Sequence, residues 1–187
     1  RKNGMRIDAV RARIQEWRDE GSINEFEESS LLAPLLYQAC YRSNTSGVFK
    51  GFHRGWGGQT KTALYRIATD LRLVPAVFHD NGLKNEVTCQ DSEALAEELR
   101  DEVAIAYLDP PYNQHPYGSN YHVLNSIALW DRPPLSRTIT RGTKAAIRTD
   151  WRRERRSAYN YRGEAAGAYR KLVASIRAKW ILTSYST

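Results

Sequence analysis

The sequence predicts a mixed α/β fold of the doubly wound kind. A nearly continuous apolar run, Val103–Leu108, has the composition of a strand covered on both faces of a parallel sheet. Segments with helical periodicity flank it on either side. A second apolar run at 180–184 follows the last of these, so that strands and helices alternate as they do when helices cover a parallel sheet.

Taken in order, Asn3 is placed to cap a first helix whose apolar face is Ile7, Val10, Ile14 and Trp17, three or four residues apart. A second helix runs from Glu25 to about Cys40, with Leu31, Leu32, Leu35, Leu36 and Ala39 inward. Pro34 lies inside it and predicts a kink or a later start, because proline has no N–H to give. Residues 42–62 lack periodicity and read as an extended loop or hairpin. Short strands are expected at 76–78 and 87–89, a helix over 93–100, and then the buried strand. A helix over 123–130 and another over 164–178 follow, the latter with Tyr169, Leu172, Val173 and Ile176 on one stripe. The final strand is placed at 180–184, and Trp17 and Trp180 are assigned to the core. No internal repeat or low-complexity segment is present.

Bulk properties narrow the class. The 187 residues suffice for a single domain with a real core. No apolar run approaches the roughly 18 residues of a membrane span, and no signal-peptide pattern opens the chain. Cys40 and Cys89 stand far apart and read as reduced thiols, which suits a cytoplasmic protein. His53, His79, His115 and His122 show no ligand spacing, so no metal is expected. The chain begins at Arg1, holds its single methionine at Met5 and ends on a strand-like run, features expected of a fragment.

Net charge is +7, and its distribution is uneven. Residues 131–162 hold ten Lys and Arg against three acids, a surplus equal to the charge of the whole chain. Residues 42–66 carry Arg42, Lys50, Arg54, Lys61 and Arg66 with no acid, interleaved with Phe49, Phe52, Trp56, Tyr65 and five glycines. Such blocks suit a phosphate backbone and bases, and equally suit solvated loops.

Chemistry concentrates where the buried strand ends, at Leu108-Asp109-Pro110-Pro111-Tyr112. Open α/β sheets bind ligands at the carboxyl ends of their strands. Two prolines hold the backbone there in a fixed, extended course. Aromatic amines such as adenine N6 are poor nucleophiles, because the nitrogen lone pair is delocalised into the ring. If the Asp109 carboxylate and the Pro110 carbonyl both accept hydrogen bonds from the amine, the nitrogen pyramidalises and its lone pair is freed. Tyr112 then stacks on a base extruded from the duplex.

Asp-Pro-Pro-Tyr after an apolar strand is similar to motif IV of the amino-methyltransferases. The run YLDPPYNQHPYGSNYHVLNSIALW, Tyr107 to Trp130, resembles the Dam-related (alpha-group) adenine-N6 DNA methyltransferases. So does NTSGVFKGFHRGWGG, residues 44–58, which falls where that family carries its target-recognition segment. Asn3-Gly4-Met5-Arg6-Ile7-Asp8 resembles the stretch after the family's first motifs, and Ile181-Leu182-Thr183-Ser184-Tyr185 the strand after its catalytic loop. The resemblance implies a Rossmann-like class I methyltransferase sheet with an inserted DNA-recognition segment at 42–66. It implies S-adenosyl-methionine as methyl donor, double-stranded DNA as partner and a prokaryotic or phage setting. Catalysis would rest on Asp109, Pro110, Pro111 and Tyr112, and cofactor contact on Asp109 and Asp91. DNA contact would fall to Arg42, Asn44, Lys50, His53, Arg54, Lys61, Arg152 and Arg153.

The family's aromatic-Gly-x-Gly cofactor loop and the acidic residue that holds the ribose are not in this sequence, so the resemblance implies a partial sheet, not active by itself. Cys89-Gln90-Asp91-Ser92 stands where a cofactor-adenine contact is expected, although Asp91 equally suits a helix cap. Asn120, Tyr121 and His122 line a pocket or, for Asn120, cap a helix. Asn113 is expected to order the catalytic loop through a side-chain bond to backbone. Methylation of another amine (cytosine N4, or RNA) and a binding-only nucleic-acid fragment are the other readings.

Overall fold

The apolar run at 103–108 pairs with the one near the end of the sequence. A computed structural model describes residues 2–49, 51, 53, 55–57, 61–111, 114–134, 148 and 150–185, with the side chains of Arg152 and Arg153 outside that set. The order of elements is α1 (Lys2–Asp19), α2 (Glu25–Tyr41), α3 (Ala63–Ala68), α4 (Ser92–Glu98), β1 (Val103–Leu108), α5 (Tyr117–Asn120), α6 (His122–Leu129), α7 (Trp151–Glu154), a 3-10 turn at Ala158–Asn160, α8 (Arg162–Ser175) and β2 (Ala178–Thr183). Two compact units divide the chain: Arg1–His79 with Tyr117–Asp150, and Asp80–Pro116 with Trp151–Thr187.

The first unit is helical. Its core is Ile14, Leu35, Ala39, Ala63 and Leu71. Asn3 does not cap α1 as the sequence suggested; it lies inside the helix and is buried. Its amide donates to the carbonyls of Ile67 and Thr69, both at 3.0 Å, and its Oδ1 accepts from the Leu71 N–H at 3.2 Å. One side chain thus bonds three backbone groups from the last turn of α3 to Leu71, whose own N–H is buried. Arg11, also buried, donates to the Ile127 and Ala128 carbonyls at 2.8 and 3.2 Å. Those carbonyls belong to the last turn of α6, where a cation is favoured.

The start of α2 follows from Asn24, whose side chain accepts from the Glu27 N–H at 3.0 Å while the Glu27 carboxylate accepts from the Asn24 N–H at 2.8 Å. This reciprocal cap outweighs Pro34, and the helix begins at Glu25 and continues past the proline. Trp17 is 38% exposed, contrary to its placement in the core, because the α1 stripe that faces inward is Asn3, Arg11 and Ile14.

In the second unit β1 and β2 run parallel, with Val103 opposite Ala178, Ile105 opposite Trp180 and Leu108 opposite Thr183. The expected strands at 76–78 and 87–89 have no regular structure, and Val77 and Val87 are 95% and 97% exposed. Neither has a hydrogen-bonded neighbour, and an apolar triplet is no strand without a ladder. The sheet of the described residues is therefore two-stranded, smaller than the alternation predicted.

The β1 and β2 side chains that alternate toward Ala106, Leu108, Ile181 and Thr183 lie on the side of α8, where the Tyr169 hydroxyl bonds Thr183 Oγ1 at 2.6 Å. On the opposite face Val103, Ile105, Tyr107, Trp180 and Leu182 are exposed. Burial on both faces is thus not observed, and Trp180, 64% exposed, is not a core residue. No helix among the described residues is long and apolar enough to cross a membrane.

Candidate active site and nucleic-acid interface

The ladder ends with Ser184 N–H donating to the Leu108 carbonyl at 2.9 Å, so Asp109 is the first residue of β1 released from the sheet. Asp109 is exposed, Pro110 is buried and Pro111 is half-buried. Among the described residues no donor bonds the Pro110 carbonyl. The strand end therefore presents a carboxylate and an open carbonyl on adjacent residues. Tyr112 and Asn113 lie outside the described residues.

Two cavities of the second unit open at this turn. One, of about 470 Å³, is lined by Asp91, Tyr107, Asp109, Pro110, Tyr159 and Leu172, among others. The other, of about 630 Å³, is lined by Pro110, Gln114, Tyr159, Asn160, Tyr169 and Tyr185, among others. Pro110 and Tyr159 belong to both. Burial, with the negative charge of Asp91 as a lesser cause, pushes the Tyr159 hydroxyl up from its ordinary range and keeps it protonated.

Asp91 takes the capping role that the sequence offered it. Its Oδ1 accepts from the N–H groups of Glu93 and Ala94 at 2.9 and 3.2 Å, which makes it the cap of α4. Its exposed side chain also borders the cavity that Asp109 lines. Asn120 caps nothing: it closes α5, and Tyr121 precedes α6 without a side-chain bond.

Basic residues of the first unit are more engaged internally than their sequence suggests. Arg42 donates to Gln38 Oε1 at 3.2 Å and to the Arg66 carbonyl at 3.3 Å, and its guanidinium lies 5.1 Å from the Tyr41 ring centre. Asn44 closes a loop, its amide donating to the His53 carbonyl at 2.8 Å and its carbonyl accepting from the His53 N–H at 3.0 Å. Gly57, at φ +134°, lies so close to the start of α3 that an added Cβ would meet the Ala63 nitrogen at 2.6 Å. Lys61 is exposed. Lys50 and Arg54 lie outside the described residues, as do the side chains of Arg152 and Arg153. Among the described residues no strand occurs in 42–62, so the hairpin alternative is not realised there.

Arg148 is buried and paired with both Asp131 and Asp150, which joins the two ends of the basic stretch between them. These partners, Asp150 foremost, push its pKa up. Arg155 stacks over Trp151 at 4.2 Å, and Arg156 pairs with Glu164 and lies over Tyr161. Arg11, Arg148 and Tyr159 carry structural or lining roles that pattern reasoning missed, and His122, read from the sequence as a pocket residue, is buried against the Phe49 carbonyl. Burial of an isolated polar residue leaves no trace in hydrophobic periodicity, and only the break of the apolar stripe at Arg11 was available as a signal.

An exposed aspartate thus stands beside two prolines at a strand end that two cavities border. Residues 1–154 match the family described as D12 class N6 adenine-specific DNA methyltransferase. The chain belongs to that family. Among curated relatives it is 33% identical to the type II methyltransferase M.FokI of Planomicrobium okeanokoites, over 100% of the chain and 26% of the relative. It is 34% identical to the type II methyltransferase M.NlaIII of Neisseria lactamica, over 99% of the chain and 50% of the relative. With the modification methylase StsI of Streptococcus sanguinis it shares 30% over 98% of the chain and 26% of the relative. The chain thus spans between a quarter and a half of these D12-related proteins. No solved structure matches it.

Proposed function

We propose that this chain carries the catalytic turn and the DNA-reading segment of a methyltransferase that transfers a methyl group from S-adenosyl-methionine to adenine N6 in double-stranded DNA. The observation that carries the proposal is the exposed Asp109 carboxylate beside a Pro110 carbonyl that no donor among the described residues bonds, at the carboxyl end of β1. Family membership and the modification methylases among the relatives support it. The β1–β2 pair would belong to a Rossmann-like sheet, with residues 42–66 as its inserted recognition segment.

The cavity of about 470 Å³ fits the cofactor: its volume lies in the range of small-molecule sites, and it combines the Asp91 and Asp109 carboxylates with the apolar walls of Leu108, Ala168 and Leu172. That set suits a cationic donor carrying a flat purine. When bound, the cofactor supplies the methyl group. The Asp109 carboxylate and the Pro110 carbonyl accept hydrogen bonds from the two amine N–H groups of the target base and hold its nitrogen in line, so positioning and electrostatics provide the rate. The neighbouring cavity, walled by Tyr159, Tyr169 and Tyr185, offers aromatic faces to an extruded base. Asp91 would contact the cofactor as well as cap α4. Arg42, Asn44, Lys50, His53, Arg54, Lys61, Arg152 and Arg153 remain the proposed DNA contacts, with Arg42 and Asn44 acting chiefly through the loop they brace.

In the full-length gene product, Asp109→Ala should lower methyl transfer to unmethylated duplex DNA on the order of a hundredfold or more while DNA binding persists. Formation of N6-methyladenine at a near-normal rate by that variant would end this assignment.

A further inference from the structure

The residue that grips the 44–53 loop stands in another part of the sequence. Phe49 lies midway along that loop, and both of its backbone polar groups are held from the α5–α6 junction. Its N–H donates to the Asn120 carbonyl at 2.7 Å, and its carbonyl faces His122 Nε2 at 3.2 Å. A carbonyl oxygen only accepts, so the ring must donate, which places a proton on Nε2. His122 is 4% exposed, and a polar group so deeply buried is there to be bonded. The mouth of the same loop is tied twice, by the Asn44 side chain and by the Asn44–His53 backbone bond. Among the described residues the loop is thus tied at its mouth, and Phe49 is held to the start of α6. Lys50, Phe52 and Arg54 follow Phe49 in sequence, immediately beyond the held peptide.

We propose that His122 is a specificity-determining positioning residue: by donating to the Phe49 carbonyl it sets the register in which the 44–58 segment meets base edges. The proposal rests on the reading of that segment as the DNA-recognition element. His122 touches no DNA in this account and acts through the loop. Base contacts discriminate only when held within a fraction of an ångström, whereas phosphate contacts tolerate movement. Loosening the grip should therefore relax sequence choice before it weakens overall binding.

The test uses the full-length gene product and unmethylated bacterial genomic DNA, with N6-methyladenine mapped by sequencing. A random duplex library bound in the absence of methyl donor gives a second readout that needs no turnover. Two variants separate the donor from the packing: His122→Phe fills the space and lacks an N–H, while His122→Gln supplies one. His122→Phe should raise the share of methylated or selected sites that depart from the wild-type consensus about tenfold, the scale of losing one base contact. His122→Gln should restore most of the wild-type pattern. Melting curves identify any variant that has simply unfolded, and the Gln variant still decides the matter in that event. Identical consensus sequences for wild type and the folded Phe variant would overturn the proposal, as would equal relaxation in the Phe and Gln variants. Lys50→Ala and Arg54→Ala test the underlying reading separately. If they leave the consensus unchanged, the recognition segment itself is misplaced; if they alter it while His122→Phe does not, only the grip fails.

Discussion

In the helical unit Asn3, Arg11, Gln38, Thr45, His122 and Arg148 are all buried, whereas in the sheet-bearing unit Asn160 is the one buried polar residue among those described. The groups assigned to catalysis follow the opposite rule, since Asp91 and Asp109 are both exposed at element ends. Buried polar side chains such as Asn3 and Arg11 hold backbone of the helical unit together, whereas Asp91 and Asp109 of the sheet unit stay exposed beside a cavity. Charge counted along a sequence therefore has different meanings in the two. A surplus of arginine in the helical unit is partly an internal scaffold, since Arg11, Arg42 and Arg148 each bond groups of that unit.

The largest effect should come from Arg148. Arg148→Met leaves Asp131 and Asp150 facing each other without the cation between them. Breaking a buried pair costs roughly 3–5 kcal/mol. Because both acids are about a third exposed, a loss of roughly 2–3 kcal/mol is expected here in urea unfolding. Arg156→Met in the sheet unit removes an equally close pair, with Glu164, but an exposed one, and should leave the midpoint unmoved. Equal losses in the two variants would erase the contrast between the units.

Next in size is Asn3→Ala, which unmakes three bonds to backbone, the one to the Leu71 N–H buried. A loss of about 2 kcal/mol is expected, with protection of the Leu71 amide from hydrogen exchange falling first. An unchanged Leu71 exchange rate would show that the tie between α1 and residues 67–71 contributes little.

Asp91 then sharpens the comparison from the other side. Asp91→Ala should cost about 1 kcal/mol as a lost helix cap, while Asp91→Asn keeps the cap. If Asp91 also meets the cofactor, the Asn variant should keep its stability and yet show a raised KM for S-adenosyl-methionine with little change in kcat. Parallel recovery of stability and KM in Asp91→Asn would confine the residue to capping.

These residues also show which features were legible in the sequence. The place of Asp109 at the carboxyl end of β1 was, because the apolar run before it marks the strand. So were α2, α6, α8 and the pairing strands, within a few residues at their ends. The strands at 76–78 and 87–89 were not, since a strand exists only through a neighbour that composition does not reveal. The two-sided burial of β1 failed for a related reason. Its composition suits cover on both faces, yet the described residues cover the one toward α8. Asn3 was read as a cap because caps are local, whereas its partners lie more than sixty residues away. The grip on Phe49 spans 73 residues and involves a histidine whose neighbours in sequence predict only a helix start.

The smallest predicted effect is a pH dependence carried by that histidine. Burial lowers the His122 pKa, and Arg148 adds to the effect, while the bond to the Phe49 carbonyl opposes it. The folded protein therefore binds a proton at His122 less readily than the unfolded chain does. Stability from this group is complete above the unfolded value, about 6.5, and is lost as pH falls from there through the depressed folded value. The direction is opposite to that of a histidine stabilised by a carboxylate partner. Comparing melting temperatures of wild type and His122→Gln between pH 7.5 and 5.5 isolates it, because every other residue is common to both proteins. Wild type should lose more stability on acidification than the Gln variant, and the consensus of methylated sites should broaden over the same interval. If both proteins follow one curve, His122 is not a buried neutral donor, and the contrast between a polar scaffold and a polar active site loses its most sensitive probe.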